Sequence, residues 1–227
     1  MTRLTLITHV YNAQAGVDHH LAQWRRYDPA LLANLEFLIV DDHSCPPIMV
    51  DRQGLNLRLL RVDDDIDWNM PGCRNLAAIQ AHSDWLLFFD VDNITSEHNI
   101  RRMVEAAPGL DRSRLHVFAR LHDGVSVEPH INSFLISRWG YFRAGGYDED
   151  FAGHYGFEDV LFRSLWRKHV GKEVLLPDMV FEQMAWRTND LDRDIRRNQA
   201  LANYKAALGM PKPKGCLRFD WTEVELA

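Results

Sequence analysis

The segment Trp85-Leu-Leu-Phe-Phe-Asp90-Val-Asp92-Asn93 narrows the folds open to this chain more than any other. Its five consecutive apolar residues, bounded by polar ones, predict a strand buried on both faces, which needs a layer of structure above it and another below. The run ends in two carboxylates one residue apart. Open α/β sheets place their ligands at the carboxyl ends of buried strands, and two carboxylates at such a turn can converge on one hard cation, Mg²⁺ or Mn²⁺. Asp and Asn are also ordinary turn residues. The same segment therefore also reads as a polar loop that caps a helix running from Ser96 to Ala107.

The flanking sequence repeats the pattern of buried strand and polar exit. Leu4 to Val10 predicts a first strand ended by Tyr11-Asn12, and Val17, Leu21 and Trp24 follow at helical spacing until Pro29 closes the helix. Leu35 to Val40 predicts a second strand that exits through Asp41-Asp42, and Leu57 to Val62 a third. Pro71 suits the first turn of a helix reaching about His82. This alternation predicts a mostly parallel, right-handed α/β sheet with one ligand-bearing edge.

The second half is less regular. Leu115 to Ala119 and Ile131 to Ile136 read as strands, the latter in a mixed or antiparallel position. A Gly-rich segment, 143–159, leads into a helix from about Asp159 to His169 with Gly171 as its C-cap. Glu173 to Leu176 and Val180-Phe181 read as short strands. Leu191, Ile195, Ala202 and Leu208 read as a C-terminal helix stopped by Gly209 and Pro211. The tail beyond Lys212 carries no assignable pattern. The chain reads as a single domain, with residues 1–95 forming a nucleotide-binding half and residues 96–227 an acceptor half.

Composition excludes several classes. A hydrophobic fraction of 46% and a charged fraction of 26% in 227 residues describe a globular chain able to bury a core. A formal net charge of −6 gives no basic field for nucleic acid. The absence of an apolar run of bilayer length argues against a transmembrane segment. Three cysteines without C-x-x-C spacing point to free thiols in a reducing compartment, and the N-terminus has no signal-peptide pattern. A cytoplasmic location is expected.

Five motifs occur in an order that resembles the family 2 glycosyltransferases. Thr8 to Asn12 is similar to that family's opening strand and turn, and Ile39 to Ser44 to its nucleotide-contacting loop. Pro71 to Ala77 is similar to the helix carrying its A-R-N element. Asp90-Val-Asp92 resembles the D-x-D metal motif. Gly145 to Phe151 and Gly156 to Asp159 resemble the late G-G-F-D-E-x-F and G-x-E-D elements. The resemblance covers the chain from Leu4 to about Trp186.

That resemblance implies a GT-A fold, with a Rossmann-like nucleotide-binding half and a mixed acceptor-binding half. It also implies an inverting transfer of a sugar from a nucleoside diphosphate sugar, most readily a UDP-sugar, to a glycan or other acceptor hydroxyl. Tyr11 would pack on the base, Asp42 with Asp41 would contact the nucleotide, and Gly146 would lie on the donor side. Asp90 would be shared between donor and metal, and Asp92 would hold Mn²⁺ or Mg²⁺. Arg74 near a helix N-terminus could set a fixed charge against the phosphates. Asp159 is the expected general base, with Glu158 beside it holding a hydroxyl. Two adjacent carboxylates also raise one another's pKa. Trp139, Tyr147, Tyr155 and Trp186 are candidate sugar-stacking rings that could equally be core.

Two departures stand out. Related metal-dependent enzymes often supply a late His ligand. The corresponding stretch here, Val180 to Trp186, has none, which leaves Glu182 or water as the third ligand. His9 stands where the family has a small residue or Pro. Three rival readings remain. One is a transferase fold that binds a glycan or partner without catalysis. Another is a phosphatase of the haloacid dehalogenase type with Asp90 as nucleophile, although its motif normally opens the chain. The third, a nucleotidyltransferase, would want a Gly-rich phosphate loop that residues 11–17 lack.

Overall fold

The computed structural model describes residues 3–184 and 192–226. In the first half, strand β1 (Leu4–Val10) leads to helix α1 (Gln14–Trp24) and a short helix α2 (Pro29–Leu32). Strands β2 (Leu35–Asp41) and β3 (Leu57–Val62), helix α3 (Met70–Gln80) and strand β4 (Trp85–Phe88) follow. Pro29 therefore opens a helix rather than only closing one. Asp28 caps it by accepting from the Ala30 amide, and proline at the first helical position loses no hydrogen bond.

The four strands run parallel in the order β3-β2-β1-β4, with Leu4 opposite Leu35 and Thr5 opposite Leu86. The chain steps outward from β1 to β3, then returns past β1 to build β4 on its other side. Strand order thus reverses between β1 and β4, and the crevice outside the carboxyl ends of two such strands is where this architecture binds ligands. Tyr11 and Asp90 lie at those two ends.

The second half extends the same sheet. It contains β5 (Asn93–Thr95), α4 (Glu97–Ala106), β6 (Leu115–His122), β7 (Val125–Val127) and β8 (Phe134–Ser137). After these come α5 (Arg138–Ala144), α6 (Glu158–His169), β9 (Glu173–Gln183), α7 (Arg196–Ala207) and β10 (Trp221–Val224). Strand β8 is antiparallel to both β4 and β6, while β6 and β9 are parallel. The sheet path is β10-β3-β2-β1-β4-β8-β6-β9-β5, with β7 forming a hairpin on β6.

Several expectations are adjusted. The two short strands expected at 173–176 and 180–181 are one strand, β9, whose partner ladder on β6 is irregular between Phe118 and Ala119. Residues 131–133 are turn rather than strand. The tail contributes β10 to the far edge, antiparallel to β3. Trp186 and Leu191 lie outside the described residues.

The alternation of strand side chains divides the core in two. Leu4, Leu6, Phe37, Ile39 and Leu87 face α1 and α4 and pack with Val17, Trp24 and Ile100. Ile7, Leu38, Val40, Leu86 and Phe88 face the other way and pack with Leu76 of α3, Tyr141 of α5 and Phe162 of α6. This is a three-layer α/β/α arrangement in which most strand residues of the first half are apolar because both faces are covered, and buried exceptions such as Thr5 and Glu36 hydrogen-bond to each other.

Candidate active site

The polar strand ends of the first half and the start of α6 meet at one cavity of about 350 Å³. Tyr11 enters from β1, Asp42 from β2, Asp90 and Asp92 from beyond β4, and Glu158 and Asp159 from the first turn of α6. Glu158 and Asp159 were expected to come together with the Asp90 segment from the resemblance alone. Tertiary structure does so because β8 pairs beside β4 and α6 packs against that face of the sheet.

Asp90 is held by three side chains. Its Oδ1 accepts from Arg74 Nη2 at 2.6 Å and its Oδ2 from Asn132 Nδ2 at 3.3 Å, with His130 Nδ1 at 3.7 Å. Burial alone would raise its pKa, but the Arg74 charge, reinforced by His130 and the Asn132 bond, outweighs it and holds the group below the usual range. Arg74 is 1% exposed. It also donates to the Asn132 carbonyl at 3.1 Å and the Tyr147 hydroxyl at 3.3 Å, and it lies over the rings of Phe88, Phe134 and Tyr147. Arg74 does not line the cavity. The structure makes it a buried clamp on Asp90, not an open phosphate contact, because α3 runs along the inside of the sheet and sinks its N-terminal turns into the core.

Asp92 is looser. Asn93 Nδ2 donates to Oδ1 at 2.8 Å and Gln183 Nε2 to Oδ2 at 3.1 Å. Burial and the neighbouring Asp90 charge raise its pKa. Glu182 is exposed and does not reach the cavity, whereas Gln183 touches Asp92. Successive strand residues point to opposite faces, so the register of β9 against β5 and β6 turns Gln183, not Glu182, toward the site. Two hard carboxylates at an open cavity fit a cation that completes its shell with ligand oxygens and water. Among the described residues, no group of three or more His, Cys, Asp or Glu could hold a metal ion.

Glu158 and Asp159 occupy the first turn of α6, where the helix dipole favours negative charge. Glu158 is 7% exposed, and its Oε2 has no hydrogen-bond partner among the described residues. Burial, reinforced by the adjacent Asp159 charge, pushes its pKa up to about 7. Asp159 is more open, accepts from the Val160 amide at 2.6 Å, and is likewise raised by burial. Phe157, which precedes them, has a φ of 70° in the left-handed region, as does Gly156 at 90°. This sharp turn aims the start of α6 at the cavity.

The two aspartates at the end of β2 separate. Asp42 lines the cavity at 5% exposure, and burial raises its pKa to about 7 against the Cys73 thiol and the Asn69 backbone, which hydrogen-bond to it. Asp41 does not reach the cavity. It is paired with Arg61 and accepts from the Ser44 and Ile48 amides at 2.9 and 3.2 Å, so it organises the loop after β2. Gly146 also lies off the cavity. Its φ is 70°, and a Cβ there would sit 2.7 Å from Asn75 Oδ1. That oxygen accepts from the Tyr147 amide at 2.9 Å and the Tyr141 hydroxyl at 2.7 Å, so Gly146 is small to admit a buried staple between α3 and the Gly-rich segment.

His9 lines the cavity, and burial, then the Arg74 charge, lower its pKa to about 4, leaving it neutral beside Asp90. Sequence reasoning missed Asn132, His130, Gln183 and Trp68. Asn132 was obscured by reading 131–136 as continuous strand, His130 by lying in a loop whose sequence carries no motif, and Gln183 by placing the end of β9 two residues early. Of the candidate aromatics, Tyr147 is core, Trp139 is exposed on α5, and Tyr155 lines the cavity.

No family model and no curated protein matches this sequence. Solved structures do match in three dimensions. TarS of S. aureus, residues 1–349, superposes with a TM-score of 0.65 at 16% identity over 81% of this chain and 60% of that one. The mannosyltransferase PcManGT from Pyrobaculum calidifontis, in complex with GDP-Man and Mn²⁺, gives 0.64 at 16% identity over 93% of this chain and 66% of that one. GalNAc-T7 with UDP, GalNAc and Mn²⁺ gives 0.60 at 12% identity over 83% and 45%. The chain therefore spans about 60% of the length of the TarS fragment. At these identities the superpositions show the fold alone, and the fold of this chain, a parallel first half extended by a mixed second half, is that of the GT-A glycosyltransferases.

Proposed function

We propose that this protein is an inverting, metal-dependent glycosyltransferase that moves a sugar from a nucleoside diphosphate sugar, a UDP-sugar in the first instance, to an acceptor hydroxyl. The observation that carries this reading is the shared cavity of Asp90, Asp92, Glu158 and Asp159 at the strand-order reversal. The solved structures of like fold include complexes with UDP-GlcNAc, with GDP-Man and Mn²⁺, and with UDP, GalNAc and Mn²⁺.

In this reading Tyr11 and Asp42 hold the nucleotide base, Asp42 accepting an N–H of its edge. Asp92, with Asp90 beside it, would hold Mn²⁺ or Mg²⁺, which supplies positive charge against the leaving diphosphate. Arg74 does not touch the donor. It fixes Asp90 ionised and in one orientation, so that no reorganisation is needed as charge develops. Asp159 accepts the proton of the attacking hydroxyl, and a raised pKa brings it nearer the working pH of a general base. Glu158, buried with one oxygen unpartnered, holds a hydroxyl of the acceptor or sugar.

Calorimetry with UDP, GDP and their sugar conjugates, each with Mn²⁺ and with EDTA, tests the donor half. Binding of one nucleotide that EDTA removes is expected; a folded protein that binds none of them points instead to a transferase fold without catalysis. Asp159→Asn tests the chemistry. It should leave nucleotide affinity within about threefold and lower transfer by 10² or more, the usual scale for a lost general base.

A further inference from the structure

Two aromatic residues stand on the cavity wall near Glu158 and Asp159. Trp68 comes from the loop before α3 and Tyr155 from the loop before α6, and their ring centroids are 4.5 Å apart with planes inclined at 47°. Both are half-buried, unlike Tyr141 and Tyr147, which are fully enclosed in the core. Trp68 has a φ of 48°, a left-handed conformation that a bulky aromatic residue rarely adopts and that persists only where its surroundings enforce it. Those surroundings are present. The indole Nε1 donates to the Asp192 carbonyl at 2.6 Å, and the Gly153 amide donates to the Asp67 carbonyl at 2.7 Å, joining the two loops. A strained backbone, a fixed indole edge and a joined pair of loops hold two rings against a polar cavity.

We propose that Trp68 and Tyr155 form the stacking wall of an acceptor subsite that takes an uncharged pyranoside, so that the attacking hydroxyl belongs to a sugar. The inference rests on the glycosyltransferase reading above. Pyranose rings present a face of C–H groups that packs on aromatic rings, while their equatorial hydroxyls need acceptors at the rim. Asp67, Glu158 and Asp159 supply that rim, with Arg193 as the one guanidinium lining the same cavity among the described residues. Three carboxylates against one guanidinium disfavour a phosphorylated or carboxylated acceptor.

The test is saturation-transfer NMR on the full chain with the methyl pyranosides of glucose, galactose, mannose and N-acetylglucosamine, and with glucose 6-phosphate as the charged control. Parallel titrations with UDP and GDP in Mn²⁺ are run on the same samples. At least one neutral pyranoside should receive saturation, concentrated on the C–H protons of one ring face. Trp68→Ala and Tyr155→Ala should weaken it about fivefold to tenfold, the scale of one stacking contact, while Tyr155→Phe, which keeps the ring, should retain it. In turnover with that pyranoside, the alanine variants should raise the acceptor KM by a similar factor and leave kcat within about threefold. Thermal melts of each variant verify folding.

Nucleotide binding with every pyranoside silent overturns the subsite and leaves the donor reading standing. So does pyranoside binding that Trp68→Ala leaves unchanged, or glucose 6-phosphate binding as tightly as the neutral sugars. Pyranoside binding without nucleotide binding sustains the subsite and overturns the transferase reading.

Discussion

At the scale of single residues, the site depends on a buried ion pair. Arg74 and Asp90 meet at 2.6 Å, the Asn132 carbonyl and the Tyr147 hydroxyl accept from Nη1, three aromatic rings pack on the guanidinium, and Nε has no hydrogen-bond partner among the described residues. Removing one member of such a pair leaves the other charge uncompensated, at a cost of about 3–5 kcal/mol. Arg74→Met should therefore lower unfolding free energy by that amount in urea titration, and it should weaken Mn²⁺-dependent nucleotide binding although Arg74 does not line the cavity. An unchanged urea midpoint would show that the pair contributes nothing to the fold.

Glu158 makes a second prediction at this scale. Its native pKa of about 7 lies above its ordinary value of 4.5, so the native state binds the proton more tightly than the unfolded chain. The associated stability is present below about pH 4.5, is lost as pH rises toward 7, and falls no further above it. Glu158→Gln removes this dependence. The variant should gain on the wild type across that window, by on the order of 3 kcal/mol at the upper end, as measured by thermal melts at stepped pH.

At the scale of elements, the Gly-rich segment after α5 is held to α3 by Asn75. Asn75 Nδ2 donates to the Tyr147 carbonyl at 3.0 Å and to Glu149 Oε1 at 2.7 Å. Glu149 in turn accepts from the Leu217 and Arg218 amides at 2.9 and 3.1 Å, so one buried network joins α3, the approach to α6 and the segment leading into β10. Gly146→Ala places a Cβ 2.7 Å from Asn75 Oδ1 at a φ of 70°, and should cost about 1–3 kcal/mol through strain and the displaced amide. Urea unfolding checks the loss. Ala at Gly124, whose φ is 75° but which meets nothing within 4 Å, should cost less. The Asp123-Gly124 pair is a hairpin turn signal between β6 and β7 that local sequence already carries.

At the scale of the whole molecule, the sheet does not stop at the border between the first half, residues 1–95, and the second. β4 ends the first half and pairs along its outer edge with β8 of the second, Trp85 opposite Ser137 and Phe88 opposite Phe134. Phe88 is also covered by Tyr141 of α5. A fragment of residues 1–95 would expose that edge and the apolar face beneath α5 and α6. It should lack a cooperative thermal transition while the full chain shows one, and calorimetric melting of both decides this. No helix among the described residues is long and apolar enough to cross a membrane.

The sequence by itself determined the first half of the fold. Strands covered on both faces are predominantly apolar, so β1 and β3 have the bounds read from the apolar runs, and β2 and β4 differ by one residue. The same logic placed Tyr11, Asp42, Asp90 and Asp92 at strand exits, because a buried strand must end where polar residues begin. Local sequence does not encode which strand lies beside which, or which face of a short strand meets a cavity. The pairing of β8 with β4, the turn of Gln183 rather than Glu182 toward Asp92, and the capture of the tail as β10 each depend on partners far away in the chain. The fate of Arg74 and Gly146 has the same origin. An arginine near a helix N-terminus reads as a phosphate contact until packing buries that helix end, and a glycine pair reads as a ligand loop until Asn75 is found against it.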